Sequence, residues 1–247
     1  ARSSLHRRIR YFLQQTDRSV ISELIPDIIH DASVFQALLF ELSITVTEMF
    51  RDPLMFKSLR EKVVTYLKSY PSLKIWHAGC ATGQEAYSLA ILLEEEGLIN
   101  RSTIFATDFN DRALDVAKTG IYEIDRVRQY SENYRQAGGM HSLSDYYREK
   151  YDAVTMKKRL KDKIIFANHN LVTDSVFSEI HLIFCRNVLI YFDKNLQHKV
   201  LTLFRDCLPY NGFLCLGSKE SLLSSGLEDQ FEVIDKKYKI FQKKAVQ

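Results

Sequence analysis

The chain has 247 residues, and none of its apolar runs approaches the roughly 20 residues a membrane-spanning helix needs. The longest candidates, Ala86 to Leu93 and Val34 to Leu42, are both too short, and the second carries Gln36 and Glu41. No apolar stretch near the N-terminus runs into a small-residue cleavage site, so no secretory leader is expected and a cytoplasmic location is. Cys80, Cys185, Cys207 and Cys215 form no Cys-x-x-Cys pair and have no histidines at ligand spacing. That argues against a zinc site, leaves no metal expected, and fits reduced, mostly buried thiols. Charge of one sign is also lacking: 34 Lys and Arg against 31 Asp and Glu leave a net +3, too little to mark a nucleic-acid partner. The asymmetry that exists is at the front, where Arg2, His6, Arg7, Arg8 and Arg10 precede the first acid, Asp17. Such a helix suits an acidic partner, and equally suits a solvated face.

What is present centres on Lys74 to Ala90. A short apolar run, Ile75-Trp76-His77-Ala78, enters Gly79 and Gly83 and leaves into Ala86, Leu89, Ala90 and Leu93 at helical spacing. This reads as strand, tight turn, helix, the opening unit of a doubly wound nucleotide-binding sheet. The next acid at a strand end, Asp108, is placed to accept hydrogen bonds from both hydroxyls of a ribose. Dinucleotides are disfavoured, because the turn lacks G-x-G-x-x-G and Glu85 in the first helical turn repels phosphate. A ligand with a positive centre fits better: the sulfonium and amino groups of S-adenosylmethionine, with Glu85 on the amino group. Gly79, Gly83 and Asp108 are also what an ordinary α/β turn and cap would use.

The order of the chain adds context. Residues 1–68 hold no strand-like alternation and read as a small helical domain, with Ser19 and Ser33 as N-caps and Asp52-Pro53 opening a third helix. Arg51 sits in the loop before that helix, suited to gripping a carboxylate with its two-pronged guanidinium. Residues 74–247 alternate strand and helix, interrupted at about 122–163 by a polar, tyrosine-rich stretch read as a surface excursion and then two strands flanking Lys157-Lys158-Arg159. An exposed sheet edge of this kind can add a peptide strand, although edge lysines also simply prevent aggregation. The run Ile183-Phe184-Cys185 leads into Arg186, Asn187 and Tyr191 at a strand's carboxyl end, where open α/β sheets bind ligands. The chain closes with a hairpin, Phe231 to Ile234 and Tyr238 to Phe241, which resembles the ending of class I methyltransferases rather than of dehydrogenases.

Five blocks in order carry a resemblance: Thr45-Val46-Thr47-Glu48-Met49-Phe50-Arg51, Ala81-Thr82-Gly83-Gln84-Glu85-Ala86-Tyr87-Ser88, Ala106-Thr107-Asp108, Asn170-Leu171, and Phe184-Cys185-Arg186-Asn187-Val188-Leu189-Ile190-Tyr191-Phe192. Together they resemble the CheR family, methyltransferases that esterify glutamates of chemotaxis receptors. The resemblance implies an α/β class I S-adenosylmethionine-dependent fold, Rossmann-like and doubly wound with a terminal antiparallel hairpin, plus the helical domain and an inserted β-subdomain. It implies that Thr45, Thr47, Arg51, Glu85, Asp108, Asn170, Leu171, Arg186 and Asn187 line the S-adenosylmethionine site, beside Gly79 and Gly83, with S-adenosylhomocysteine as product. Arg51 and Tyr191 would lie nearest the transferred methyl. The implied partners are methyl-accepting receptors, approached by a monomer without nucleic acid or membrane insertion. Thr45 stands where the family pattern has asparagine and Ala86 where it has proline. Two rivals share the cofactor: a nucleic-acid methyltransferase, disfavoured because Cys185-Arg186-Asn187-Val188 lacks the prolines of a base-flipping motif, and a non-catalytic sensor, disfavoured by Arg51 and Tyr191.

Overall fold

A computed structural model describes residues 2–42, 47–174, 179–223 and 225–245. Three helices lead: α1 (Arg2–Gln15), α2 (Leu24–His30) and α3 (Ala32–Leu42). They share a small apolar cluster of Phe12, Leu13 and Leu24, with Ile28, Val34 and Leu38 packed on it. The expected caps differ. Ser33 lies inside α3, and it is Asp31 Oδ1 that accepts from the Ser33 N–H at 2.8 Å. Ser19 donates to the Glu23 carboxylate in the turn ahead of α2. Aspartate takes the α3 cap because its carboxylate reaches the open N–H groups one residue earlier.

Next come α4 (Pro53–Lys62) and α5 (Val64–Leu67), with Pro53 in the first turn where its missing N–H costs nothing. Their apolar faces, Met55, Phe56, Leu59, Val63 and Leu67, pack into the main core rather than onto α1–α3.

The sheet then builds through β1 (Leu73–Ala78), α6 (Gln84–Glu95), β2 (Ser102–Asp108) and α7 (Asp111–Thr119). An insertion follows: β3 (Ile121–Glu123), α8 (Val127–Gln136), β4 (Tyr147–Lys150), β5 (Ala153–Met156) and α9 (Lys158–Lys161). The main sheet resumes with β6 (Ile164–Asn168), β7 (Leu182–Cys185), α10 (Lys194–Cys207), β8 (Phe213–Leu216), β9 (Phe231–Asp235) and β10 (Ile240–Lys243). Its spatial order is β6-β2-β1-β7-β8-β10-β9. The first five strands run parallel, and β10 is antiparallel to both its neighbours.

Period-two alternation divides the buried strands between two cores. Leu182 and Phe184 of β7 join one cluster, Ile183 and Cys185 the other. With both faces covered, β7 reads as an unbroken apolar run.

The insertion departs from the surface excursion expected. β3, β5 and β4 form an antiparallel sheet with β5 in the middle, and Tyr122, Tyr130, Tyr134 and Tyr146 are buried. Each ring joins the main core. Hydroxyl partners make this possible: Tyr122 donates to the Thr82 carbonyl at 2.8 Å, and Tyr134 and Tyr146 both donate to Glu95. A phenol buries its ring readily once its O–H is satisfied. The basic run between β5 and β6 is helical, with Lys158 paired to Asp162 and Arg159 to Glu94.

Candidate cofactor and acceptor site

Strand order reverses between β1 and β7, since the chain passes from β1 outward through β2 to β6 and returns to place β7 and β8 on the other side. Helices covering opposite faces leave a crevice beyond the carboxyl ends of such a pair. Gly79 and Gly83, in the turn after β1, have φ of +77° and +89°, which side-chain-bearing residues rarely adopt. A Cβ on Gly79 would also press into Val188, so the glycine lets the loops after β1 and β7 meet. Asp108 ends β2: its Oδ2 accepts from the Ala81 N–H at 2.8 Å and its Oδ1 from the Asn110 N–H at 3.0 Å. Burial pushes its carboxyl above the ordinary range, only partly countered by these N–H bonds. Each oxygen retains a second lone pair for a ribose hydroxyl.

A chain of polar contacts runs from His77 to Asp52. His77 Nε2–H donates to Glu85 Oε2 at 3.0 Å, Arg186 pairs with Glu85 Oε1, and its other prong pairs with Asp52. The same guanidinium donates to the Arg51 carbonyl at 3.2 Å. Glu85 and Arg186 are buried. Burial alone would raise the Glu85 carboxyl, but the Arg186 charge and His77 hold it below its usual value. Burial likewise works against the Arg186 charge, and Glu85 and Asp52 outweigh it, so the guanidinium is more firmly protonated than usual.

Arg51 is thus anchored through its backbone. Phe50 and Asp52 on either side have φ of +52° and +54°, strained for non-glycine residues and clustered where function is expected. Partners hold that shape: Phe50 N–H donates to Ser88 Oγ at 2.8 Å, and Asn133 of α8 donates to the Met49 carbonyl at 3.0 Å. The Phe50 ring is fully buried, edge-on to Phe56 and Tyr134. Beside this loop opens a cleft of about 580 Å³ lined by Thr47, Glu48, Arg51, Gln84, Arg126 and Tyr130 among others, so the insertion supplies one wall. Gly79, Asp108 and Asn187 are not among its lining residues, and the cleft flanks the crevice rather than coinciding with it.

The expected residues fall into groups. Arg51, Glu85 and Arg186 are joined directly. Gly79 meets the loop that carries Asn187, and Asp108 binds the turn leading to Gly83. Asn187 has φ +60°, and its Oδ1 is buried without a hydrogen-bond partner. The His169 N–H donates to the Asp108 carbonyl at 3.1 Å, which brings Asn170 and Leu171 beside the end of β2. Asn170 is exposed and accepts from the Val172 N–H, whereas Leu171 is buried in the second core cluster. Tyr191 is 54% exposed. Thr45 lies outside the described residues.

Four contributors escaped the sequence reading: His77, Asp52 as an ion-pair partner, Ser88, and Glu220. The last is buried, and its carboxylate accepts from the N–H groups of Asn187, Val188, Leu189 and Gly217. One signal was available, since Glu220 follows closely on the end of β8, another strand that opens on the crevice.

The order of the sheet, its antiparallel β10 and the crevice at the reversal define an α/β methyltransferase fold of class I. The description "CheR methyltransferase, SAM binding domain" matches residues 45–240, so the chain belongs to the CheR methyltransferase family and its cofactor is S-adenosylmethionine. It is 50% identical over 241 residues to the Pseudomonas putida protein Cher3, covering 98% of this chain and 88% of that protein. It is 31% identical over 227 residues to chemotaxis protein methyltransferase 1 of Vibrio cholerae, covering 87% and 79%. Among solved structures, the N-methyltransferase NodS of Bradyrhizobium japonicum with S-adenosylhomocysteine overlaps with a TM-score of 0.38 at 15% identity, over 68% of this chain and 62% of that one, too distant to carry an inference. Among the described residues no helix is long and apolar enough to cross a membrane, and no His, Cys, Asp and Glu cluster suits a metal ion.

Proposed function

We propose that this protein methylates glutamate side chains on the cytoplasmic helices of chemoreceptors, with Arg51 and Tyr191 at the reacting end of the crevice. The observation that supports this most is the Arg186 bridge, which ties the backbone of Arg51 to Glu85, at the start of the helix that opens the crevice. The names of relatives such as the Vibrio cholerae chemotaxis methyltransferase support the receptor assignment.

The residues present suit S-adenosylmethionine. Asp108 offers two acceptor positions to a ribose, and the partnerless Asn187 Oδ1 awaits a donor such as an ammonium. Glu85 is the residue expected on that amino group. With His77 and Arg186 already on its oxygens, it shares the task with Asn187. When bound, the cofactor supplies an electrophilic methyl on a sulfonium. A glutamate is ionised at neutral pH, its ordinary pKa being about 4.3, so the chain need supply no general base. Arg51 grips one carboxylate oxygen and leaves the other to attack, while closure around the loop excludes water. Because the guanidinium also lowers the carboxylate's nucleophilicity, its benefit is geometric.

The test is methyl transfer from labelled S-adenosylmethionine to receptor cytoplasmic fragments, with base-labile label as the expected product. Arg51→Ala should abolish turnover and spare most S-adenosylhomocysteine binding. Equal loss of both would overturn the role of Arg51, and base-stable label on DNA or RNA would overturn the substrate assignment.

A further inference from the structure

We infer that Glu220 is a positioning residue that holds the loop carrying Asn187 and Tyr191 in its working shape. The inference rests on the role proposed above for Tyr191. Glu220 Oε2 accepts from the N–H groups of Asn187 at 3.0 Å and Gly217 at 2.6 Å, and Oε1 from those of Val188 at 2.8 Å and Leu189 at 2.7 Å. Three consecutive donors of one loop therefore converge on one buried carboxylate. A carboxylate is acceptor-only and has lone pairs for all four bonds, a requirement no other side chain of this size meets.

The loop needs such a hold. Asn187 is in the left-handed region, where an isolated non-glycine residue is strained, and no regular element pairs residues 187 and 188. On the opposite side, Gly79 admits Val188 so closely that the loop has no room to shift that way. From Leu189 one short turn leads to Tyr191, closed by the Tyr191 N–H on the Val188 carbonyl at 3.1 Å. Gln197 Nε2 then donates to the Leu189 and Phe192 carbonyls at 3.0 Å, fixing the far end. Tyr191 itself is 54% exposed, so its position comes from this backbone and not from burial of its ring.

Glu220→Gln replaces one oxygen with an amide that faces N–H donors and removes two of the four bonds. Two measurements test the role. In hydrogen exchange on the full chain, the amides that lose their acceptor, Asn187 or the pair Val188 and Leu189 according to which oxygen is replaced, should exchange at least about tenfold faster in the variant, while those of β7 and β1 keep their protection. In a kinetic cycle with Tyr191→Phe, E220Q should lower kcat on a receptor fragment by about 10²-fold in the wild-type background and by less than about threefold in the phenylalanine background. Unchanged exchange at residues 187–189 would overturn the inference, as would equal factors in the two backgrounds. A Tyr191→Phe variant with normal kcat would refute the role of Tyr191, and the inference would fall with it. Should E220Q not fold, Glu220→Asp keeps the charge but lacks the reach. If neither folds, Glu220 is a structural residue of the whole chain and the positioning role is wrong.

Discussion

Placing a methyl group on Gly79 measures how tightly the loops after β1 and β7 are forced together. Gly79 and Gly97 have similar positive φ, +77° and +71°, so Gly→Ala imposes about 1–2 kcal/mol of left-handed strain at each. Their surroundings differ. A Cβ at Gly97 meets nothing within 4 Å, whereas at Gly79 it presses into Val188 Cγ2 and has Val188 Cβ and Cγ1 at 3.5 Å. Overpacking of this kind adds about 1–3 kcal/mol. Gly97→Ala should therefore cost about 1–2 kcal/mol and Gly79→Ala about 2–5, with any entropy gain in the unfolded chain common to both. For a chain of this size each kcal/mol lowers Tm by about 2–4 °C, so thermal melts separate the two variants readily. A cycle with Val188→Ala isolates the clash: the double variant should recover about 1–3 kcal/mol relative to additivity. Because Val188 sits between two N–H groups held by Glu220, G79A should also weaken S-adenosylhomocysteine binding in titration calorimetry, and G97A should not. Equal losses at the two glycines, or an additive cycle, would refute the reasoning.

Arg186→Met strands the buried Glu85 carboxylate and should lower stability to chemical denaturation by about 3–5 kcal/mol, with much of the loss restored by adding Glu85→Gln. Asp235 reports on acid stability. Burial would raise its carboxyl, but Lys62 at 2.6 Å and Ser58 at 2.7 Å bring it from 3.8 down to about 2. A depressed folded-state pKa means its contribution is fully present above the unfolded value and is lost as pH falls from about 4 toward 2. That contribution is at most about 2 kcal/mol, less for the partly exposed Lys62, and Asp235→Asn should flatten the stability–pH slope in that window. Asp108→Ala should weaken S-adenosylhomocysteine binding more than it lowers kcat at saturating cofactor, and the reverse pattern in steady-state kinetics would contradict its ribose role.

Much of this was legible because it is local. Strand, turn and helix from Leu73 to Glu95 follow from period and glycine position, and Asp193 caps α10 by accepting from the Leu196 N–H. The inserted β-subdomain that the resemblance implies is present, whereas the burial of its tyrosines was not legible, because tyrosine counts as polar on paper and its burial depends on whether a distant carboxylate such as Glu95 meets its hydroxyl. Asp52 shows the same limit. Its place before Pro53 marks a helix start, yet its carboxylate leaves the cap and pairs with Arg186 across 134 positions.

By itself the sequence determined the kind of fold, since hydrophobic period and turn residues act over a few residues and need no partner. Tertiary structure alone decided which polar and charged groups meet. His77, Glu85, Arg186 and Asp52 form one chain, and Glu220 holds the Asn187 loop, only because the parallel order of β1, β7 and β8 brings their carboxyl ends side by side. A buried charge takes whichever opposite charge or donor the packing delivers, and no local pattern in the chain records which one that is.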